Sequence, residues 1–158
     1  MALAETGQVY TLHPGDVRLG QRGDRLATLL GSCVAVVLTD PRRTVGCMCH
    51  IVHAQPVHRT DTRRNAAWGD VALGTMYAQL RAQGIVPHLC DAYVYGGGNM
   101  FPTLVDGPHV GQDNAAWVLK ALAEDDIRVV HQDVGGHRYR RLSWTVGPAA
   151  PVVEAVAV

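Results

Sequence analysis

Cys33 and His50 are the two residues whose types and spacing ask for chemistry. Cys33 stands behind a Gly31-Ser32 pair and heads the apolar run Val34-Ala35-Val36-Val37-Leu38, and His50 follows it by seventeen positions. A cysteine at the head of a strand, behind such a turn, is held where its sulfur reaches solvent. A histidine at the end of the next strand meets it if the two strands pair. Thiol, imidazole and turn N–H groups are the parts that nucleophilic thiol chemistry needs. A free thiol has a pKa of about 8.5, so only about 3% is thiolate at pH 7. An adjacent imidazole raises that fraction through an ion pair and can later protonate a leaving amine. Gly31 gives room for close backbone approach and an unusual φ, while Ser32 and Cys33 can offer N–H groups to an oxyanion. A third group must fix which imidazole nitrogen carries the proton. Thr28 is near enough in sequence to do so, through its hydroxyl or its carbonyl. Taken singly, each residue has a plainer account: a packed thiol for Cys33, a hydrogen-bonded histidine for His50.

The elements that must position this pair are legible in outline. Residues 13–25 are rich in Gly, Pro, Asp and Arg and read as turns around a short strand. Residues 27–38 form an apolar run consistent with a buried strand after the Gly31 turn. Asp40-Pro41 marks a turn, and Thr44 to Val52 reads as the returning strand. Residues 53–66 are polar and aperiodic, an exposed loop. Apolar positions 68, 72, 73, 76, 77 and 80 follow helical spacing, with Gly84 as a stop. Residues 87–95 read as a strand ending in Gly96-Gly97-Gly98. Asp113 or Asn114 can cap a second helix to about Glu124, with Trp117, Val118, Ala121 and Leu122 inward. Strands at 127–131 and 141–146 follow, with Gly135-Gly136 between them. Residues 1–147 are expected to form one domain, and 148–158 a poorly ordered tail. Strands outnumber helices, which favours a mixed α/β sandwich over a doubly wound sheet.

Composition narrows the function classes. The chain has 158 residues, 47% hydrophobic and 18% charged, which fits one folded domain with a real core. A formal net charge of zero argues against bulk electrostatic attachment to nucleic acid or anionic lipid. No apolar run is long enough to span a membrane, and residues 1–10 lack the basic start and apolar core of a secretory signal. A cytoplasmic location is therefore expected, with Cys33, Cys47, Cys49 and Cys90 as reduced thiols.

Two other motifs invite a different reading. Cys47, Cys49, His50 and His53 have zinc-ligand chemistry, but on a strand Cys47 and Cys49 face one side while Met48 and His50 face the other. No second Cys-x-x-Cys pair completes a ligand set, so no metal is expected. Gly96-Gly97-Gly98 lacks the Lys-Ser/Thr ending of a phosphate loop, and a tight turn explains it better.

The segment Thr28-Leu-Leu-Gly-Ser-Cys-Val-Ala-Val36, with His50 at its offset, resembles the signature of the CheD family of chemoreceptor glutamine deamidases. Tyr95-Gly-Gly-Gly-Asn-Met-Phe101 is similar to that family's Phe-Gly-Gly-x-x-Met segment. Val110-Gly-Gln-Asp-Asn114 resembles its Ile-Gly-x-x-Asn helix start, and Asp133-Val-Gly-Gly136 its later Gly-Gly turn. The likeness runs through roughly residues 8–147. It implies a cysteine amidohydrolase, without cofactor, that converts glutamines of chemotaxis receptors to glutamate. Cys33 would be the nucleophile, His50 the base and Thr28 the third member. The implied fold is an α+β layered sandwich of mixed sheets like that of the cytotoxic necrotizing factor deamidases. Implied partners are the cytoplasmic domain of the receptors and a CheC-type phosphatase. Asn99, Met100 and Phe101, read as exposed, and the 53–66 loop are candidates for the docking surface. The competing reading is a non-catalytic binding protein of the same fold that regulates CheC or receptors. An intact Cys33/His50 pair weighs against it. The sequence departs from the family at Cys47-Met48-Cys49, where Gly, Met, Ala or Asn are usual. It also lacks the glycine often found before arginine near His137–Arg140.

Overall fold

The computed structural model describes residues 7–54, 65–102 and 109–156. The element order is β1 (Val9–Thr11), β2 (Val17–Gln21), β3 (Arg25–Leu30), β4 (Val34–Thr39), β5 (Val45–Ile51), α1 (Gly69–Ala82), β6 (Asp91–Gly96), α2 (Val110–Glu124), β7 (Arg128–Val134), β8 (Tyr139–Thr145) and β9 (Val152–Val156). Nine strands make two mixed sheets among the described residues, one ordered β1-β3-β8-β9 and the other β2-β5-β4-β6-β7. Both helices pack on the larger sheet, α1 over β5 and β2, α2 over β7, β6 and β4. The result is three layers, sheet on sheet on helices, an α+β sandwich.

The central strands explain the layering. β4 and β5 are buried along their whole lengths, so both faces must find apolar partners. Val34, Val36, Leu38, Cys47, Cys49 and Ile51 pack toward the helices, with Met76, Leu80, Val118 and Leu122. Ala35, Val37 and Met48 face the smaller sheet, against Leu26, Leu30, Leu142 and Trp144. Period-two alternation thus splits one apolar segment between two cores.

Several expectations are refined. The run 27–38 is two strands, not one: β3 lies in the smaller sheet and β4 in the larger, and Gly31-Ser32-Cys33 carries the chain across. α1 ends as the spacing predicts, with Gly84 at φ +76° just beyond it. Trp68 precedes α1 and is not on its inner face; its ring sits 4.4 Å from that of His53. β6 starts only at Asp91, because residues 87–89 form a 3-10 turn in which Cys90 N–H donates to the Pro87 carbonyl. α2 starts at Val110, earlier than an Asp113 or Asn114 cap would allow, because His109 Nδ1 accepts from Gln112 N–H at 3.1 Å. Where a poorly ordered tail was expected, Val152–Val156 form β9, paired antiparallel with β8. Val153 packs on the inter-sheet core, and Trp144 Nε1–H donates to the Ala149 carbonyl at 2.9 Å, which anchors the connection. Among the described residues, no helix is long and apolar enough to cross a membrane.

Candidate active site

The sheet-crossing link carries the candidate nucleophile, Cys33. Gly97 N–H donates to the Cys33 carbonyl (2.9 Å) and Gly98 N–H to the Gly31 carbonyl (3.0 Å), so the end of β6 fastens the link at two points. Among the described residues, neither the Ser32 nor the Cys33 N–H donates to a backbone or side-chain acceptor. Two donors therefore stand side by side at the head of β4. Gly31 does not adopt the unusual φ expected of it. Its requirement is space: a Cβ there would lie 3.0 Å from the Tyr139 ring and 3.2 Å from Met100 Sδ.

His50 lies opposite Ala35 in the antiparallel β4–β5 ladder. It follows Met48 by two residues, so it faces the smaller sheet, where Thr28 lies on the inward side of β3 between Leu26 and Leu30. Thr28 Oγ1 and His50 Nδ1 are 2.7 Å apart, both residues buried. The Thr28 hydroxyl has one proton and donates it to the Leu12 carbonyl at 2.8 Å. It must therefore accept from His50, so Nδ1 carries the imidazole proton and Nε2 keeps its lone pair. Cys33 precedes Ala35 by two, which makes it the diagonal neighbour of His50 on one sheet face. Thr28 and His50 are thus brought into direct contact. Cys33 and His50 are brought to one face, and no hydrogen bond joins them among the described residues.

Electrostatics define the resting state. Burial pushes His50 down to about 4, with Asp16 opposing the shift and His13 adding to it. Burial also raises the half-buried Cys33 thiol. Low-dielectric surroundings disfavour the charged form of each group, which works against the ion pair anticipated from sequence.

The other cysteines contrast with Cys33. Cys47 and Cys49 are fully buried toward the helices, away from His50, and burial raises Cys49 to about 12 and Cys47 well above its usual value. Cys47 Sγ–H donates to Gln79 Oε1 at 3.3 Å.

The expected docking triplet divides. Asn99 is buried, not exposed, and its Oδ1 accepts from Phe101 N–H at 3.0 Å, turning the chain outward. Met100 is half-buried against Gly31, and Phe101 is 63% exposed. Most of the 53–66 loop lies outside the described residues. A groove of about 860 Å³ runs along α2, lined by Trp68, Asn114, Trp117 and Lys120 among others, and neither Cys33 nor His50 lines it.

Asn114, a candidate helix cap by sequence, lies inside α2 and is buried. Asn114 Nδ2 donates at 3.1 Å to both the Ser32 and the Val52 carbonyl. Its signal was present: Asn114, Val118 and Leu122 share one helix face by i, i+4 spacing, and an amide there must find partners in the core.

Comparison with known proteins places these residues in context. A family model described as CheD chemotactic sensory transduction matches residues 53–150. A probable chemoreceptor glutamine deamidase CheD 2 of Albidiferax ferrireducens is 33% identical over 138 residues, covering 85% of this chain and 80% of that protein. A probable chemoreceptor glutamine deamidase CheD of Pseudomonas syringae pv. syringae is 35% identical over 132 residues, 80% and 74% of the two chains. The chemoreceptor glutamine deamidase CheD of Thermotoga maritima is 31% identical over 127 residues, 80% and 78%.

Proposed function

The chain belongs to the CheD family, and from that premise we propose that it hydrolyses glutamine side-chain amides of chemoreceptors, with Cys33 as nucleophile and His50 as base. The observation that carries the mechanism is the Thr28–His50 hydrogen bond, which leaves Nε2 as the unprotonated nitrogen on the face shared with Cys33. Nε2 takes the Cys33 proton as Sγ attacks the glutamine Cδ. The carbonyl oxygen becomes an oxyanion, and the Ser32 and Cys33 N–H groups are placed to hold it. The imidazolium, steadied by the Thr28 oxygen at Nδ1–H, returns its proton to the amide nitrogen. Ammonia leaves and a thioester remains. Nε2 then deprotonates a water that attacks the thioester; glutamate is released and the thiol restored. Glutamine and water become glutamate and ammonia, with no redox change and no cofactor.

A glutamine amide is the same on every protein, so choice among substrates rests on the surrounding surface. Met100 beside the Gly31 turn and exposed Phe101 are the side chains placed to meet a helical receptor surface. A CheC-type partner competing for this face would meet the same pair.

The test is mass spectrometry of a receptor cytoplasmic fragment before and after incubation with the protein. Defined glutamines should gain the mass of an amide-to-acid conversion. Cys33→Ala should abolish the change while remaining folded, and Thr28→Val should lower kcat by about 10-fold or more, within the range of a disturbed general base. Near-normal turnover by Cys33→Ala would sink the covalent route.

A further inference from the structure

We propose that Asn114 is a positioning residue for the Cys33–His50 pair, an amide clamp that holds the nucleophile's turn in register with the base's strand. The inference rests on the catalytic reading above and adds to it a residue outside the triad.

The geometry is specific. The carbonyl of Ser32 belongs to the residue immediately before the nucleophile, and that of Val52 to the strand end two residues beyond His50. These carbonyls come from segments that the β4–β5 ladder brings alongside each other but does not itself tie at this end. The ladder begins at the Val34–Ile51 pair, so the turn carrying Cys33 and the chain after Ile51 lie outside it. Asn114 Nδ2 has two protons, and each carbonyl lies 3.1 Å from it. One side chain thus spans both segments with its full donor capacity.

The anchor behind the amide is rigid. Asn114 is 2% exposed and shares its helix face with Val118 and Leu122, both fully buried in the core. Near the start of α2, Gly111 lies against the backbone of Gly97 and Gly98, the two glycines whose N–H groups hold the Cys33 and Gly31 carbonyls. The Cys33 turn is therefore fixed from two directions by elements that touch each other. Reacting groups need placement within a fraction of an ångström, and a misplacement of about 1 Å can cost about 10²-fold in rate. Val52 N–H donates away from the Cys33 turn, to the Ala67 carbonyl, so among the described hydrogen bonds the Asn114 amide is what joins the Val52 segment to Ser32.

The test measures coupling between Cys33 and His50 without needing a receptor. In the full chain, the rate of Cys33 alkylation by iodoacetamide at neutral pH is compared with and without His50→Ala, in four backgrounds. In the wild-type background His50→Ala should slow alkylation about 10-fold, since the proton loses its acceptor. In Asn114→Ala or Asn114→Asp the same change should have less than about a 2-fold effect, because the base is no longer in register. Asn114→Asp keeps the side chain's size but offers at most one donor to the two carbonyls, so it breaks the bridge without opening the cavity that alanine leaves. Val118→Ala, one turn along α2 at a side chain with no donor to offer either carbonyl, should weaken helix packing yet preserve the His50 effect. In the receptor assay, Asn114→Asp should lower kcat by about 10–10²-fold with KM little changed. If the His50 effect survives in both Asn114 variants, the clamp is overturned while the pair stands. If Val118→Ala abolishes it equally, Asn114 serves helix packing alone. If His50→Ala has no effect in the wild type, the pair itself fails and the clamp falls with it.

Discussion

At the scale of single residues, burial disfavours the charged forms of the candidate pair, Cys33 and His50. His50 is buried, hydrogen-bonded through Nδ1 to Thr28 and pushed down to about 4. An unfolded histidine titrates near about 6.5, so between the two values the unfolded chain binds a proton that the folded chain refuses. Stability is therefore full above about pH 6.5 and declines as the pH falls toward 4, by up to about 3 kcal/mol from this group. Urea unfolding of the wild type and of His50→Gln at pH 7 and pH 4.5 checks this. The wild type should lose more stability than the variant across that interval, and equal losses would show that His50 is not held neutral. The same neutrality means that activity should persist below the usual histidine range, because the base stays unprotonated there.

At the scale of elements, the sheet-crossing link and the last strand carry the argument. β3 and β4 belong to different sheets, so the three residues between them bridge the layers and are pinned by Gly97, Gly98 and Asn114. β9 closes the far edge of the smaller sheet. A chain ending at Gly147 should fold less stably, since Trp144 Nε1–H loses the Ala149 carbonyl and Val153 leaves the inter-sheet core. A buried donor without its partner costs about 1–3 kcal/mol, which corresponds to a fall in Tm of several degrees in a chain of this size. Differential scanning calorimetry of the shortened chain would reveal it, and an unchanged Tm would show that β9 adds nothing to the sandwich. The stretch from Gly147, rich in Pro, Ala and Val, suggests a poorly ordered tail because its prolines and alanines dilute the strand signal of its valines. The strand is decided by its partner β8, which lies in the same sheet as β3.

At the scale of the whole molecule, the face carrying the proposed Cys33–His50 pair and the helix face lie on opposite sides of the larger sheet. His50 looks toward the smaller sheet, while Cys47 and Cys49 look toward α1. Phe101 projects where the chain leaves the buried Asn99 next to the Gly31 turn, and it is 63% exposed. A helical receptor approaching Cys33 would meet it. Phe101→Ala should weaken binding of a receptor fragment by about 10-fold, on the scale of truncating one aromatic anchor. Hydrolysis of a small activated ester at Cys33 should be little changed. Loss of ester hydrolysis with binding retained would place Phe101 in the catalytic machinery instead.

The sequence by itself determined the nucleophile candidate, the base candidate, the strand that returns between them and the alternation that turns Cys47 and Cys49 away from His50. These are local facts: turn chemistry and period-two side-chain direction act within a few residues. Thr28 was legible as a nearby third group, but its role needed the hydroxyl's second partner, the Leu12 carbonyl on a segment sixteen residues away. Only the tertiary structure decided that the run 27–38 divides between two sheets, that burial disfavours the charged forms of Cys33 and His50 and that Asn114 joins Ser32 to Val52. Each depends on contacts between segments 62 or more residues apart, or on the dielectric of a core that no short stretch of chain creates.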